Sequence, residues 1–240
     1  MNSKREKINK VPKHIAFIID GNGRWAKKIS KTRSYGHLKG MERLKKVIQE
    51  SFDYGIDIVS IFGFSTENWN RPEKEVNYLF NLFKDFAEKE ADELHKNNVK
   101  VVVMGDHEEF PKEVVSAISK LIKKTENNTS KILNLGLNYG GRNEITKAIN
   151  ELLKSGVKKI TEKSLEKYLY TAGLPDPDFI IRTSGEQRIS NFMLWQSAYS
   201  ELYFPKIYWP GFTKKHLEKA LLEFQKRNRR FGSIIEKESV

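Results

Sequence analysis

Cysteine is absent from the 240-residue chain. That excludes disulfides, thiolate zinc sites and a cysteine nucleophile, so any metal must be held by oxygen or imidazole ligands. Long apolar runs are missing as well: no stretch reaches the roughly 20 residues that a membrane-spanning helix needs. The start, MNSKREKINK, is polar and has no apolar h-region of a signal peptide, so cytoplasm is the expected address. Internal repeats, low-complexity tracts and Pro/Gly-rich linkers are lacking too, and a chain of this length can bury a sizeable core as one domain. We therefore expect a polar, flexible start over 1–13, one domain over 14–232 and a short tail over 233–240.

Positive charge is in excess, with 43 Lys and Arg against 31 Asp and Glu and a net charge of +12. Such an excess attracts phosphates, nucleic acid or an anionic membrane surface without choosing among them. Many lysines lie in mixed-sign runs such as EKEADELHK, which read as solvated helix faces.

Periodicity supplies the layout. Short continuous apolar runs recur at Ile15 to Ile19, Ile58 to Phe64, Val99 to Met104, Ile132 to Leu137 and Phe179 to Ile181. Runs without alternation suit strands buried on both faces, and the amphipathic segments between most of them suit helices. The expected helices span roughly 37–54, 73–97, 112–124, 142–154, 162–170 and 214–229. The fold class is α/β, a central, mostly parallel sheet flanked by helices. In such sheets chemistry gathers beyond the carboxyl ends of the strands.

Unusual residues gather there. Asp20 follows the first strand and is followed by Gly21, Asn22, Gly23, Arg24 and Trp25. Glycines let a ligand approach backbone amides, and an acid beside a phosphate site makes sense where it carries a divalent cation. The plain alternative is a strand-to-helix turn with Asp20 as its cap, although a turn needs neither the arginine nor the tryptophan. KTRSYGHLKG adds Arg33, His37 and Lys39, as phosphate donors or as a basic surface loop. FGFSTENWNRPEKE reads as a helix start at Pro72 with Asn70 as cap, leaving Ser65, Thr66, Glu67, Asn68, Trp69 and Arg71 unexplained in one loop. In RTSGEQRISNFMLWQ, Arg182, Arg188 and Ser190 suit a second phosphate site, while Ser190 also suits the N-cap of a helix over NFMLWQSAY. Glu201 is an acid among apolar residues and needs a partner, a metal being one candidate. In VNYLFNLFKDFA, Val76, Leu79, Phe80, Phe83, Phe86 and Ala87 form a helical stripe widened by Tyr78 and Leu82.

HIAFIIDGNGRWAKK, FGFSTENWNRP, LNYGGR, IRTSGEQRISNFMLWQ and ELYFP resemble, in order and spacing, the motifs of the cis-prenyltransferase family, most closely its bacterial undecaprenyl pyrophosphate synthases. The resemblance runs from about His14 to Gly232. It implies a Mg²⁺-dependent transferase that condenses isopentenyl pyrophosphate with an allylic pyrophosphate such as farnesyl pyrophosphate, for the lipid carrier of cell-wall synthesis. By the same resemblance Asp20 is catalytic and binds Mg²⁺, and Glu201 is a second metal position. Gly21, Asn22, Gly23, Arg24, Arg33 and His37 match the cradle of the allylic pyrophosphate, with Trp25 beside them. Ser65, Thr66, Glu67, Trp69 and Arg71 match a second substrate-binding motif, in which Asn68 assists proton removal. Arg182, Arg188, Ile189 and Ser190 match the isopentenyl pyrophosphate site. Gln187 stands where some relatives carry a histidine that approaches the metal, which puts a histidine ligand there in doubt.

The resemblance further implies a homodimer, with Arg230, Phe231 and Gly232 matching a C-terminal element that completes the partner's site. It implies a hydrophobic product tunnel, to which the Val76–Ala87 stripe contributes unless it is simply core, and a peripheral contact with the inner face of the membrane. The paired DDxxD motifs of trans-prenyltransferases are absent. Other readings fit the residues less well. A basic nucleic-acid-binding module gives no role to Asp20 or Glu201, so no nucleic acid partner is expected, and a non-catalytic prenyltransferase-like subunit would have lost motif residues that stand intact here.

Overall fold

A computed structural model describes residues 6–227; Arg230, Phe231 and Gly232 lie outside the described residues. Six strands form one sheet in the order β3-β4-β2-β1-β5-β6, and every neighbouring pair is parallel. They are β1 (His14–Ile18), β2 (Ile58–Ser65), β3 (Val99–Met104), β4 (Lys131–Tyr139), β5 (Phe179–Arg182) and β6 (Glu201–Tyr203). The helices are α1 (Asn22–Lys28), α2 (Arg33–Asp53), α3 (Glu73–Lys96), α4 (Lys112–Thr125), α5 (Gly141–Lys154), α6 (Glu162–Glu166) and α7 (Lys214–Gln225). The strands are largely apolar on both faces because helices or loops cover both sides of the sheet. Ile15, Phe17, Val59, Ile61, Leu133 and Leu135 face the core under α2, α3, α4 and α7. Ala16, Ile18 and Ile180 face the opposite layer with Phe192 and Met193.

Four local expectations are corrected. The cap of α1 is Gly21, not Asp20, because that position has φ 101°, where an L side chain is strained, and a Cβ there would lie 2.2 Å from Ser184 Oγ. α2 begins at Arg33, four residues before the expected start, because the Thr32 side chain caps it by accepting from Tyr35 N–H. Asn70 closes a 3-10 turn over Thr66–Asn70 rather than capping α3. NFMLWQSAY is a series of turns, not a helix. Ser190, Asn191 and Met193 all have positive φ, which breaks a right-handed helix, and the Ser190 hydroxyl accepts from Arg182 instead of capping. β6 is an additional strand too short for periodicity to reveal.

Polar groups at the amino end of the sheet are consumed by the fold. Asp178 accepts from the backbone N–H groups of Lys13 and His14. His14 is fully buried, and its Nδ1 lies 2.7 Å from the carbonyl of Pro175, which can only accept, so Nδ1 carries the proton. Nε2 then accepts from Ser60 Oγ, which in turn accepts from Asn134. Burial lowers the His14 pKa to about 4, against smaller raising contributions from Pro175 and Asp178.

Candidate active site

Strands β1, β2 and β5 are neighbours or one strand apart, so their carboxyl ends bring three separate sequence motifs to one place. Asp20 holds Arg24 at 3.0 Å and Arg182 at 3.0 Å. The Arg182 side chain is only 6% exposed, and it also donates to Ser190 Oγ at 2.6 Å and to the carbonyl of Arg188 at 2.7 Å. Glu186 accepts from both Arg24 and Arg188, and these ion pairs hold its carboxyl below the usual range. One arginine cluster is thus built around two carboxylates.

A second cluster lies across the cavity. Arg33, His37 and Arg71 all converge on Glu75, at 3.1, 3.1 and 3.2 Å. Burial would raise the Glu75 carboxyl, but the His37 hydrogen bond and the charges of Arg33 and Arg71 outweigh it and hold the carboxyl below its ordinary value. Burial lowers the His37 pKa, with Glu75 opposing, so the imidazole is neutral near pH 7. Glu75 and Glu186 were not singled out in the sequence. The spacing of Glu75 four residues after Arg71 on a helix start was the legible signal; Glu186 had none beyond its place in GEQR.

Between the clusters lies a cavity of about 770 Å³, lined by Asp20, Gly21, Asn22, Gly23, Arg24, Arg33, His37, Ser65, Glu67, Asn68, Arg71, Arg182 and Ser190. These are most of the residues expected in the site. Asn191, Met41 and Phe62 line it too and were not anticipated. Its floor, at Ile19, Met41, Gly63 and Phe83, is shared with a narrow apolar fissure bounded by Leu44, Phe86, Ile118 and Leu121. A register shift of β2 against β4 at Phe62 to Ser65 lies at the cavity wall, which Phe62, Gly63 and Ser65 line, as bulges often do beside sites. The Val76–Ala87 stripe divides accordingly: Leu79, Leu82 and Phe83 line the cavity, while Phe80 packs against Phe64, Trp69 and Phe110.

Six expected residues stand elsewhere. Trp25 stacks on Tyr35. Trp69 turns away from the cavity, donating to Asn138 Oδ1 at 2.8 Å, and Thr66 lies beside it in a separate polar cleft. Arg188 is exposed beside Glu186, and Ile189 packs against the Phe192 and Met193 layer. Glu201 begins β6 at the amino end of the sheet, level with Phe179, and its partner is Arg227 at 2.9 Å. Within one chain the structure does not bring Glu201 to Asp20. Lys39, the remaining cation of the KTRSYGHLKG segment, pairs with Glu42.

Asn68 Oδ1 accepts from Ser65 N–H, so the amide oxygen is already engaged in closing its own turn. Among the described residues no group of three His, Cys, Asp or Glu side chains can hold a metal ion. Asp20 presents a partly exposed carboxylate at the cavity mouth, and Mg²⁺ is commonly held by one or two carboxylates together with substrate phosphates and water. The donor set fits that mode. No helix among the described residues is long and apolar enough to cross a membrane.

Two arginine clusters facing one cavity, with an apolar floor, suit a ligand with two phosphate groups and a hydrocarbon body. The family model described as "Putative undecaprenyl diphosphate synthase" matches residues 18–232. The chain belongs to that prenyltransferase family. It is 49% identical over 233 residues to an isoprenyl transferase of Clostridium tetani, covering 95% of this chain and 91% of that protein. An isoprenyl transferase of Neisseria meningitidis is 46% identical over 226 residues, covering 94% and 91%. Among solved structures, lavandulyl diphosphate synthase from Lavandula x intermedia, in complex with dimethylallyl diphosphate, superposes with a TM-score of 0.89 at 33% identity over 93% of this chain and 99% of that one. An undecaprenyl diphosphate synthase, described as probable, from Campylobacter jejuni gives 0.78 at 30% identity over 94% and 100%. This prenyltransferase therefore shares with its relatives the sheet whose carboxyl ends carry Asp20 and both arginine clusters.

Proposed function

We propose that the enzyme extends an allylic diphosphate, farnesyl diphosphate as primer, with isopentenyl diphosphate units in the cis configuration, giving a long polyprenyl diphosphate of the undecaprenyl class for a cell-wall lipid carrier. The observation that carries this reading is the cavity itself, where two arginine clusters open onto an apolar fissure. Each condensation breaks the allylic carbon–oxygen bond, forms a carbon–carbon bond to the double bond of isopentenyl diphosphate and releases one proton with the diphosphate. No protein nucleophile is required.

Arg33, His37 and Arg71 bind the allylic diphosphate in this reading, exchanging Glu75 for phosphate oxygens. Arg24, Arg182 and Ser190 bind the isopentenyl diphosphate, with Arg188 closing over it. Asp20 would hold Mg²⁺, which when bound would supply charge stabilisation for the departing diphosphate. The arginines add fixed donors where charge develops, which is commonly the largest catalytic contribution. Asn68, whose amide oxygen is engaged by Ser65 N–H, orients the second substrate through its Nδ2 donor or, with that oxygen released, relays the proton to the diphosphate. Glu201 has no role at Asp20 of its own chain and enters only through a second copy, the homodimer being part of the proposal. The growing chain descends between α2, α3 and α4 past Phe83 and Phe86. The positive net charge favours a peripheral encounter with anionic lipid.

The test is incubation with labelled isopentenyl diphosphate and farnesyl diphosphate, with and without Mg²⁺, and chromatography of the products. Mg²⁺-dependent long cis-polyprenyl diphosphate is expected; no elongation with any of several primers overturns the reading. Phe83→Ala and Phe86→Ala are expected to shift product length, and unchanged lengths in both would reject the fissure as the product path.

A further inference from the structure

The LNYGGR segment, Leu137 to Arg142, has no role in the chemistry above, yet it abuts the turn that carries Glu67 and Asn68. β4 ends in it and α5 starts from it. Its contact with the site is made through Asn191, held at φ 65°, a conformation that asparagine and aspartate tolerate better than most residues. The backbone carbonyl of Asn191 accepts from Gly141 N–H at 2.7 Å. Its Oδ1 accepts from Arg142 N–H at 2.8 Å. Both bonds satisfy orphan donors at the start of α5, a helix of 14 residues. With Oδ1 so engaged, Nδ2 points the other way and donates to Glu67 Oε1 at 3.0 Å.

Gly140 makes this approach feasible. A Cβ at that position would lie 2.6 Å from Thr66 Oγ1 and 2.8 Å from Asn191 Nδ2, so any side chain would wedge the turn and Asn191 apart. The neighbouring Ser190 meanwhile holds Arg182, which holds Asp20. One dipeptide, Ser190-Asn191, therefore links the Asp20 cluster to the Thr66–Asn70 turn, with the α5 start as its fixed support. Burial would raise the Glu67 carboxyl, but its hydrogen bonds, that from Asn191 first, outweigh it and keep the group ionised.

We propose that Asn191 is a positioning residue, whose side chain sets the Thr66–Asn70 turn against the Arg182–Ser190 site through Glu67. It touches neither substrate in this account; it acts by fixing the distance between the groups that do. The contact rests on geometry alone, and only its catalytic consequence rests on the function proposed above.

The test uses Asn191→Asp. Aspartate keeps the acceptor for Arg142 N–H at a helix start, where an acid is favoured, but it sets a carboxylate against Glu67. Glu67→Gln in that background restores a donor–acceptor pair with its polarity reversed. Hydrogen exchange of the full chain without substrate is read first. In Asn191→Asp the amides of 66–70 are expected to exchange about tenfold faster or more while those of α5 keep their protection, and the double variant is expected to restore the turn. Turnover follows: displacement of reacting groups by about 1 Å costs roughly a hundredfold, so kcat should fall by about that factor in Asn191→Asp, with partial recovery in the double variant.

Unchanged exchange over 66–70, or a loss shared equally with α5, overturns the contact's role. Restored protection in the double variant without turnover rising to that of Glu67→Gln alone overturns the positioning claim, since the contact would then only stabilise the fold. If the parent elongates no primer, the function proposed above fails and the exchange measurement still decides the link. Gly140→Ala provides the independent check, with the same turn loosened while residue 191 stays intact.

Discussion

The two ends of the sheet use the same kinds of side chain to opposite effect. At the amino end, Asp178 is consumed by two backbone N–H groups and Glu201 by Arg227, and His14 is locked in one tautomer between Pro175 and Ser60. At the carboxyl end, Asp20, Glu75 and Glu186 each meet more than one cation around a large open cavity. Ion pairs around an open cavity can be exchanged for phosphate oxygens, whereas hydrogen bonds from a side chain to backbone N–H groups are given up only at a cost in stability. The difference separates an acid that holds the fold from an acid that serves a ligand, although both follow or precede strands of the same sheet.

The comparison breaks first at Asp20. Asp20→Ala is expected to lower kcat by about a thousandfold, the scale of losing a principal charge-stabilising group, and to destabilise the fold as well, because Arg182 is left buried with one partner fewer. Initial rates and thermal melts of the same preparation check both. Should activity survive within tenfold, the carboxyl end is not the reacting end.

The second prediction concerns pH at the amino end. The folded protein holds His14 neutral with a pKa of about 4, while the unfolded chain binds a proton below its ordinary value of 6.5. Stability is therefore full above pH 6.5 and is lost as pH falls from 6.5 towards 4, since the unfolded state then binds more protons. The loss reaches on the order of 3 kcal/mol by pH 4. Urea midpoints at stepped pH should show the slope, and His14→Gln should flatten it; an equal slope in the variant would assign the loss to other groups.

A third, smaller effect is expected from Asp178→Ala, which leaves the N–H groups of Lys13 and His14 without their acceptor. It should cost about 1–2 kcal/mol in urea denaturation, with turnover per folded molecule unchanged. A loss of turnover comparable to that of Asp20→Ala would erase the distinction between the ends. The smallest effect is expected at Glu201. In the single chain its charge only pairs with the partly exposed Arg227, so Glu201→Gln should move stability by less than about 1 kcal/mol. The proposed entry of Glu201 through a second copy requires that the same variant lose Mg²⁺-dependent rate, and an unchanged rate would remove Glu201 from the reaction.

Much of this was legible in the sequence, for identifiable reasons. Continuous apolar runs at β1, β2, β3, β4 and β5 marked strands buried on both faces, and the arginines and tryptophans that follow β1 and β2 exceed what a turn needs. Arg33, His37 and Arg71 were visible as donors, but their common acceptor, Glu75, looked like an ordinary acid in the first turn of α3. Ser190 had the composition of a helix cap, and only the positive φ values that follow it show why no helix forms. Trp69, in the middle of the second motif, was expected at the substrate and instead donates to Asn138, because successive side chains of a 3-10 turn point about a third of a turn apart and cannot all face one cavity. Asn191 carried no periodic or compositional signal at all; its importance arises from two backbone donors and one carboxylate that meet it from distant segments.

The sequence by itself determined the α/β class, the parallel sheet and the set of charged residues that gather at its carboxyl end, because burial on two faces and the chemistry of diphosphate are written in residue type and spacing. Which carboxylate each arginine holds, which end of the sheet Glu201 occupies, and which aromatic faces the cavity were decided only by the tertiary structure. Those depend on strand order, register and the sign of a few φ angles, and long-range contacts of that kind leave no trace in local pattern.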